Sequence, residues 1–311
     1  MKKKIAIIAG ISGQDGWYLK HKLLKKKYTV IGLSRKKLKS ENNVKIIKTK
    51  YTYRELFNII KTYNPQIIYN LAGESNPKTS WSEVYDSKKS IVDLTLNFLE
   101  AIKQTSNKIK YFNCSSSEVY KCKKINKNFK TISEKNNFDP DNPYGCFKAT
   151  SQMLVQIYRQ KYKLYAVNGI LFNHDSKKRK GFLIDTIISY CLRNKRNNKK
   201  LVLQNSYPIR DYGHADDITE AMTKIMSLNK PDDYIISGGT VRSVKEITFE
   251  IFKIFNIKKD RVIFLNKKKD IRLEDVKIGN TDRIKKATEW KPNYQNKKLI
   301  QKLVDESLDN A

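Results

Sequence analysis

Residues 3–26 place a short apolar run, the glycine-rich turn Gly10-Ile11-Ser12-Gly13-Gln14-Asp15-Gly16 and an amphipathic stretch one after another. A buried strand that enters a helix through three glycines lets backbone amides at the helix N-terminus approach a pyrophosphate with no side chain in the way. A second apolar run, residues 28–33, follows at the distance of a βαβ unit. The expectation is a dinucleotide site, with Gly10, Ser12, Gly13, Gln14, Asp15 and Gly16 around the phosphates; a tight turn alone is the competing reading. The residue ending the second strand bears on which cofactor. An acidic group there would bind the ribose hydroxyls of NAD, whereas this chain has Ser34-Arg35-Lys36-Lys37, and Arg35 suits the 2′-phosphate of NADP.

Further apolar runs at residues 44–47, 66–70, 110–114, 164–172 and 233–237 alternate with helical patterns at 53–62, 83–104, 148–162 and 243–255. Strands and helices of these lengths in alternation imply an α/β fold, with a parallel sheet covered on both faces. From Asn173-His174 onward the pattern is less regular, with a basic stretch, a helix near 182–194, the segment Arg210-Asp211-Tyr212-Gly213-His214-Ala215-Asp216-Asp217 and a closing helix at 297–308. Residues 1–172 are expected to form the cofactor-binding domain with the catalytic Tyr and Lys. Residues 173–311 are expected to form the main substrate-binding part, with some segments returning to the first sheet.

The chain carries a formal net charge of +32, which attracts phosphates. Lysine dominates and is spread along the whole length, and no zinc knuckle, basic-region helix or RNA-binding aromatic signature accompanies it. A phosphorylated small substrate is the simpler use of that field than nucleic acid. Cys114, Cys122, Cys146 and Cys191 show no paired metal spacing and suit a reducing cytoplasm. The apolar runs are too short to span a membrane.

Asp141-Asn142-Pro143-Tyr144-Gly145-Cys146-Phe147-Lys148 puts a tyrosine four residues ahead of a lysine, just after a proline that can open a helix. At that spacing both side chains share one face, and a lysine held beside a tyrosine favours the phenolate. Ahead of it, Ser115-Ser116-Ser117-Glu118-Val119-Tyr120 leaves the end of a central strand, where such sheets bind their ligands. A serine run by itself reads as a loop.

Together Gly10, Gly13, Gly16, the serine run with Glu118, Tyr144 with Lys148, and Arg210-Asp211 resemble the extended short-chain dehydrogenase/reductase family acting on nucleotide sugars. Gly13-Gln14-Asp15-Gly16, Asn168-Gly169-Ile170-Leu171-Phe172-Asn173-His174 and Arg210 to Ala215 are most similar to its GDP-mannose 4,6-dehydratase branch. The resemblance implies a Rossmann-type doubly wound parallel sheet with a smaller C-terminal α/β part. It implies Ser116, Glu118, Tyr144 and Lys148 as catalytic residues and adds Leu71 and Ala72 to the cofactor contacts. It implies Ser75, Ser116, Ser117, Glu118, Asn173, Arg179, Arg210 and Arg272 as contacts to a GDP-linked sugar. No metal is called for, and a homodimer through helices 83–104 and 144–162 is expected, with a tetramer as the alternative. Departures stand at Ala9, Trp17 and Lys121, at Lys48-Thr49-Lys50, which lacks an acid for the adenosine, and at Asp185-Thr186, where a basic pair is usual near the base. An NADP-dependent reductase or epimerase of the same fold is the second reading, and a basic nucleic-acid-binding protein a distant third.

Overall fold

The computed structural model describes residues 4–121, 131–194, 197–265 and 276–309. In chain order the first part runs β1 (Ile5–Ala9), α1 (Gln14–Lys25), β2 (Thr29–Ser34), β3 (Val44–Lys48), α2 (Tyr53–Tyr63) and β4 (Ile67–Asn70). It continues with α3 (Thr79–Ser82), α4 (Val84–Lys88), a π-helical segment Lys89–Asp93, α5 (Leu94–Thr105), β5 (Lys110–Ser116), α6 (Pro143–Tyr162) and β6 (Ala166–Leu171). The second part holds β7 (Asn173–Asp175), α7 (Leu183–Asn194), β8 (Leu201–Leu203), β9 (Ile209–His214), α8 (Ala215–Ile225) and β10 (Asp233–Ile236). It closes with β11 (Thr240–Ser243), α9 (Val244–Ile254), β12 (Val262–Phe264), β13 (Val276–Lys277), α10 (Asp282–Thr288) and α11 (Lys297–Leu308).

Seven strands form one parallel sheet in the order β10-β6-β5-β4-β1-β2-β3. Strands covered on both faces need mostly apolar side chains, which is why β1 reads as a continuous apolar run and why β1, β4 and β6 are buried almost end to end. One face packs against α1, α8, α10 and the fully buried Trp290, the other against α2, α5 and α6. The order reverses between β1 and β4, so their carboxyl ends part and leave a crevice.

The second part has its own core between α7, α9, α11 and β8. Its small sheet runs β11-β9-β13, with β7 also paired to β9. β10 does not belong to it: Asp233 to Ile236 pairs in parallel with Asn168 to Leu171 on the edge of the large sheet.

Several boundaries differ from the sequence reading. α1 begins at Gln14, because the helix starts inside the glycine turn. The single helix expected over 83–104 is interrupted at the π-helical segment, and the serine run is the last part of β5 followed by a 3₁₀ turn, Ser117–Val119. Among the described residues no helix is long and apolar enough to cross a membrane.

Candidate active site

The crevice opens into a cleft of about 720 Å³. Its floor is the turn after β1. Gly10 sits at φ +80°, and a Cβ there would meet the Ala72 backbone nitrogen at 2.9 Å, so only glycine lets the turn lie against the end of β4. At Gly13 a Cβ would meet only the Gly10 carbonyl oxygen, at 3.3 Å, so a side chain would project from the mouth of α1 into the space a pyrophosphate needs. Gly13, Gln14, Asp15 and Gly16 line the cleft with Leu71 and Ala72, and this cradle fits a dinucleotide. Ser12 and Arg35 do not line it; both are exposed. Arg35 follows the buried Ser34 at the end of β2 and its charge reaches Tyr51, whose hydroxyl donates to the Leu33 carbonyl at 2.9 Å.

Asp15 joins this floor to the far wall. Its carboxylate lies 2.9 and 3.0 Å from Nε2 of the buried His174, while Nδ1 of that ring is 2.8 Å from the Phe172 carbonyl. Burial alone would raise the Asp15 pKa, but the charge and hydrogen bond of His174, with Arg179 and Gln14, outweigh it and hold the carboxyl below its usual range. Burial likewise pulls His174 down, and Asp15 outweighs it and raises the imidazole. Neither charge is carried alone inside the fold.

The head of the cleft is built where β5 ends and α6 begins. Asn142 caps α6 by accepting from Gly145 N at 2.8 Å, with Pro143 in the first turn, which places Tyr144 and Lys148 on the inner face. Ser80 of α3 accepts from Tyr144 N at 3.1 Å. Lys148 Nζ donates to the Cys114 carbonyl at 2.7 Å and stands 5.7 Å from the centre of the Tyr144 ring. Ser116 accepts from Glu118 N at 3.2 Å, and its hydroxyl favours the ionised form of Tyr144. Glu118 Oε2 is 2.9 Å from Lys277 Nζ and accepts from Asn142 Nδ2 at 3.2 Å.

Burial is the main influence on Tyr144 and pushes the phenol above its ordinary value, helped by Cys114 and Glu118 and opposed by Ser116 and Arg179. Burial also lowers Lys148. The net direction therefore differs from the sequence expectation: desolvation disfavours a phenolate more than Ser116 and Arg179 favour one. In the protein alone Tyr144 is a phenol, and its deprotonation calls for additional positive charge at the ring.

The remaining wall is basic. Ser75, Ser117, Asn173, Arg179 and Arg210 all line the cleft. Arg179 lies 3.9 Å over the Phe182 ring and donates to the His174 carbonyl at 2.6 Å. Arg210 lies on β9, in register with Lys277 on β13 and Arg242 on β11. Asp185 accepts from Gly181 N at 2.8 Å and pairs with Lys180 at 3.1 Å, so it closes its own loop at the start of α7. Arg272 lies outside the described residues, as does Cys122; the other three cysteines are free thiols. Sequence reasoning named neither Lys277 nor the pairing of Asp15 with His174. The only sign of the latter was that both residues fall in segments quoted for the family resemblance.

The family model described as GDP-mannose 4,6 dehydratase matches residues 7–303. GDP-mannose 4,6 dehydratase 1 of Arabidopsis thaliana is 31% identical over 335 aligned positions, covering 99% of this chain and 91% of its own length. The human GDP-mannose 4,6 dehydratase is 33% identical, covering 80% of this chain and 72% of its own. Among solved structures, dTDP-glucose 4,6-dehydratase from Bacillus anthracis in complex with NAD superposes with a TM-score of 0.86 at 21% identity, covering 99% and 97% of the two chains. UDP-glucose 4-epimerase from Thermotoga maritima with UDP-glucose gives 0.86 at 18% identity, covering 98% and 99%. These likenesses establish the fold, which that dehydratase and that epimerase share. Because the family match runs from the first strand into the closing helix, the chain belongs to the GDP-mannose 4,6-dehydratase family.

Proposed function

We propose that the protein converts GDP-mannose, or a related manno-configured GDP-sugar, to the 4-keto-6-deoxy sugar, using NADP. The observation that carries this reading is the meeting of an acid/base carboxylate, Glu118, with Tyr144, Ser116 and Lys148 at the head of one cleft, opposite Arg179 and Arg210. A simple reductase needs the tyrosine but no carboxylate at that point.

A nicotinamide dinucleotide held by Gly10, Gly13, Gln14, Gly16, Leu71 and Ala72 would supply the hydride acceptor for sugar C4 and the hydride donor for C6. Tyr144 receives the O4 proton, with Ser116 hydrogen-bonding the same oxygen. The C4 ketone acidifies C5, and Glu118 takes the C5 proton. The electron pair of that bond becomes the second C5–C6 bond as the C6–O6 bond breaks, and Glu118 gives its proton to O6, which leaves as water. Once C6 is reduced, C5 regains a proton and the O4 proton passes from Tyr144 to solvent, so the net change is loss of one water. Arg179 and Arg210 suit a diphosphate because a guanidinium fork matches its oxygens. Arg35 supports NADP over NAD through its place after β2.

In this reading residues 1–172 bind the cofactor and carry the chemistry, and residues 173–311 chiefly hold the nucleotide sugar. We further propose a homodimer. Tyr85 on α4 is 88% exposed and Ile157 and Met153 on α6 are 55% and 43% exposed, and a dimer through these helices would cover them. The free thiols fit a reducing cytoplasm.

Incubation with GDP-mannose and catalytic NADP, followed by mass analysis of the nucleotide sugar, tests the assignment. Loss of one water without net cofactor reduction is expected. Since UDP-glucose 4-epimerase shares the fold, an isomeric sugar of unchanged mass would favour an epimerase, and stoichiometric NADPH consumption a reductase.

A further inference from the structure

We propose that Lys277 is the positioning residue for the Glu118 carboxylate, fixing which of its oxygens meets the substrate. The proposal rests on the dehydratase reading of Glu118.

Lys277 is 4% exposed and lies 2.9 Å from Glu118 Oε2, yet it does not line the cleft, whereas Glu118 does. An ammonium taken out of water is costly unless an anion and good geometry compensate it. Here that anion is the carboxylate assigned to proton transfer. Asn142 Nδ2 donates to the same oxygen at 3.2 Å. Both contacts fall on Oε2, and Oε1 has no partner among the described residues, so the carboxylate is held by one oxygen and presents the other. Asn142 also caps the helix bearing Tyr144, so the two reacting groups share one bracket.

The seat of Lys277 is fixed from two sides. β13 pairs in parallel with β9, Lys277 opposite Arg210. Just beyond it, Ile132 N donates to the Ile278 carbonyl at 2.8 Å and Asn280 N to the Ile132 carbonyl at 2.7 Å. Gly279 then lies where a Cβ would meet the Ser237 side chain at 2.8 Å. The ammonium is therefore carried on backbone held by two neighbouring segments, and it meets Glu118 from outside the cleft lining.

In the reaction, Glu118 moves the C5 proton to O6, and the ammonium transfers nothing. It keeps Oε1 aimed at both sites. A misaimed base leaves the sugar oxidised at C4 and stalled before C5 deprotonation.

The test compares wild type, Lys277→Met and Lys277→Arg in deuterium oxide, reading absorbance of reduced nicotinamide, deuterium at C5 and loss of water, with melting temperatures alongside. For Lys277→Met, C5 exchange and water loss are expected to fall by roughly 100-fold, the cost of a misplaced reacting group, while C4 oxidation and KM for the sugar hold and reduced cofactor accumulates. Lys277→Arg is expected to restore part of the exchange. Oxidation and exchange falling together with melting temperature would mean a structural ion pair only and overturn the proposal, as would unchanged exchange. If the wild type releases no water from any GDP-sugar, the dehydratase reading itself fails; a working wild type with an indifferent Lys277→Met sinks the positioning role alone.

Discussion

Gly145 presses against Glu118 so closely that no side chain fits between them: a Cβ on Gly145 would lie 2.2 Å from the Glu118 carbonyl oxygen. This contact sets the distance between the helix that bears Tyr144 and the turn that bears Glu118. Gly145→Ala must push the two apart. A destabilisation of about 1–3 kcal/mol is expected from overpacking, with a larger proportional loss of product formation than of cofactor binding. Thermal melting and turnover measured side by side check it, and an alanine variant with wild-type turnover would contradict the spacing role.

Glu118→Gln and Tyr144→Phe separate the two halves of the chemistry. Glutamine keeps the shape of Glu118 but cannot accept the C5 proton, so the variant should oxidise C4 and release water about 10² to 10⁴ times more slowly. Phenylalanine removes the O4 proton acceptor and should suppress oxidation and water release alike. Single-turnover absorbance of the reduced nicotinamide distinguishes them.

Cofactor choice is expected to depend on Arg35. Replacing it by alanine should weaken NADP by about tenfold and leave NAD nearly unchanged, since only NADP carries the 2′-phosphate. Titration of both dinucleotides gives the ratio, and equal losses would place the phosphate elsewhere.

The pair of Asp15 and His174 predicts a pH dependence of stability. His174 is raised above its ordinary 6.5, so its stabilising contribution is fully present below 6.5 and is lost as pH rises through the higher folded value. Asp15 is lowered from 3.8, so its contribution is present above 3.8 and is lost as pH falls through the lower folded value. The melting temperature of wild type relative to His174→Gln should therefore shrink as pH rises above 6.5. A constant gap there would show that folding does not raise the pKa of the imidazole.

Much of the large sheet and the cofactor turn was legible in the sequence because the physics is local. Ile5 to Ala9 is apolar without a break as a strand buried on both faces must be, and Tyr144 and Lys148 share a helical face by spacing alone. The small sheet was not legible. β9 reads Ile-Arg-Asp-Tyr-Gly-His, and its buried charged residues are satisfied by groups far along the chain, as when Asp211 accepts from Gly239 N. Lys277 is hidden for the same reason. One lysine among many gives no sign of its burial, and its partner Glu118 lies far from it along the chain.

The return of residues 233–236 to the large sheet bears on how the polypeptide acquires its structure. β6 has β10 as its outer neighbour, supplied only after the chain has traversed β7, α7, β8, β9 and α8. A fragment ending at residue 172 would carry Ala166 to Leu171 as a bare, apolar sheet edge, the kind of surface that recruits other chains. During synthesis the first half must wait, exposed, for a strand made much later. A gene cut between the two parts is therefore expected to yield aggregates instead of a free-standing cofactor-binding module.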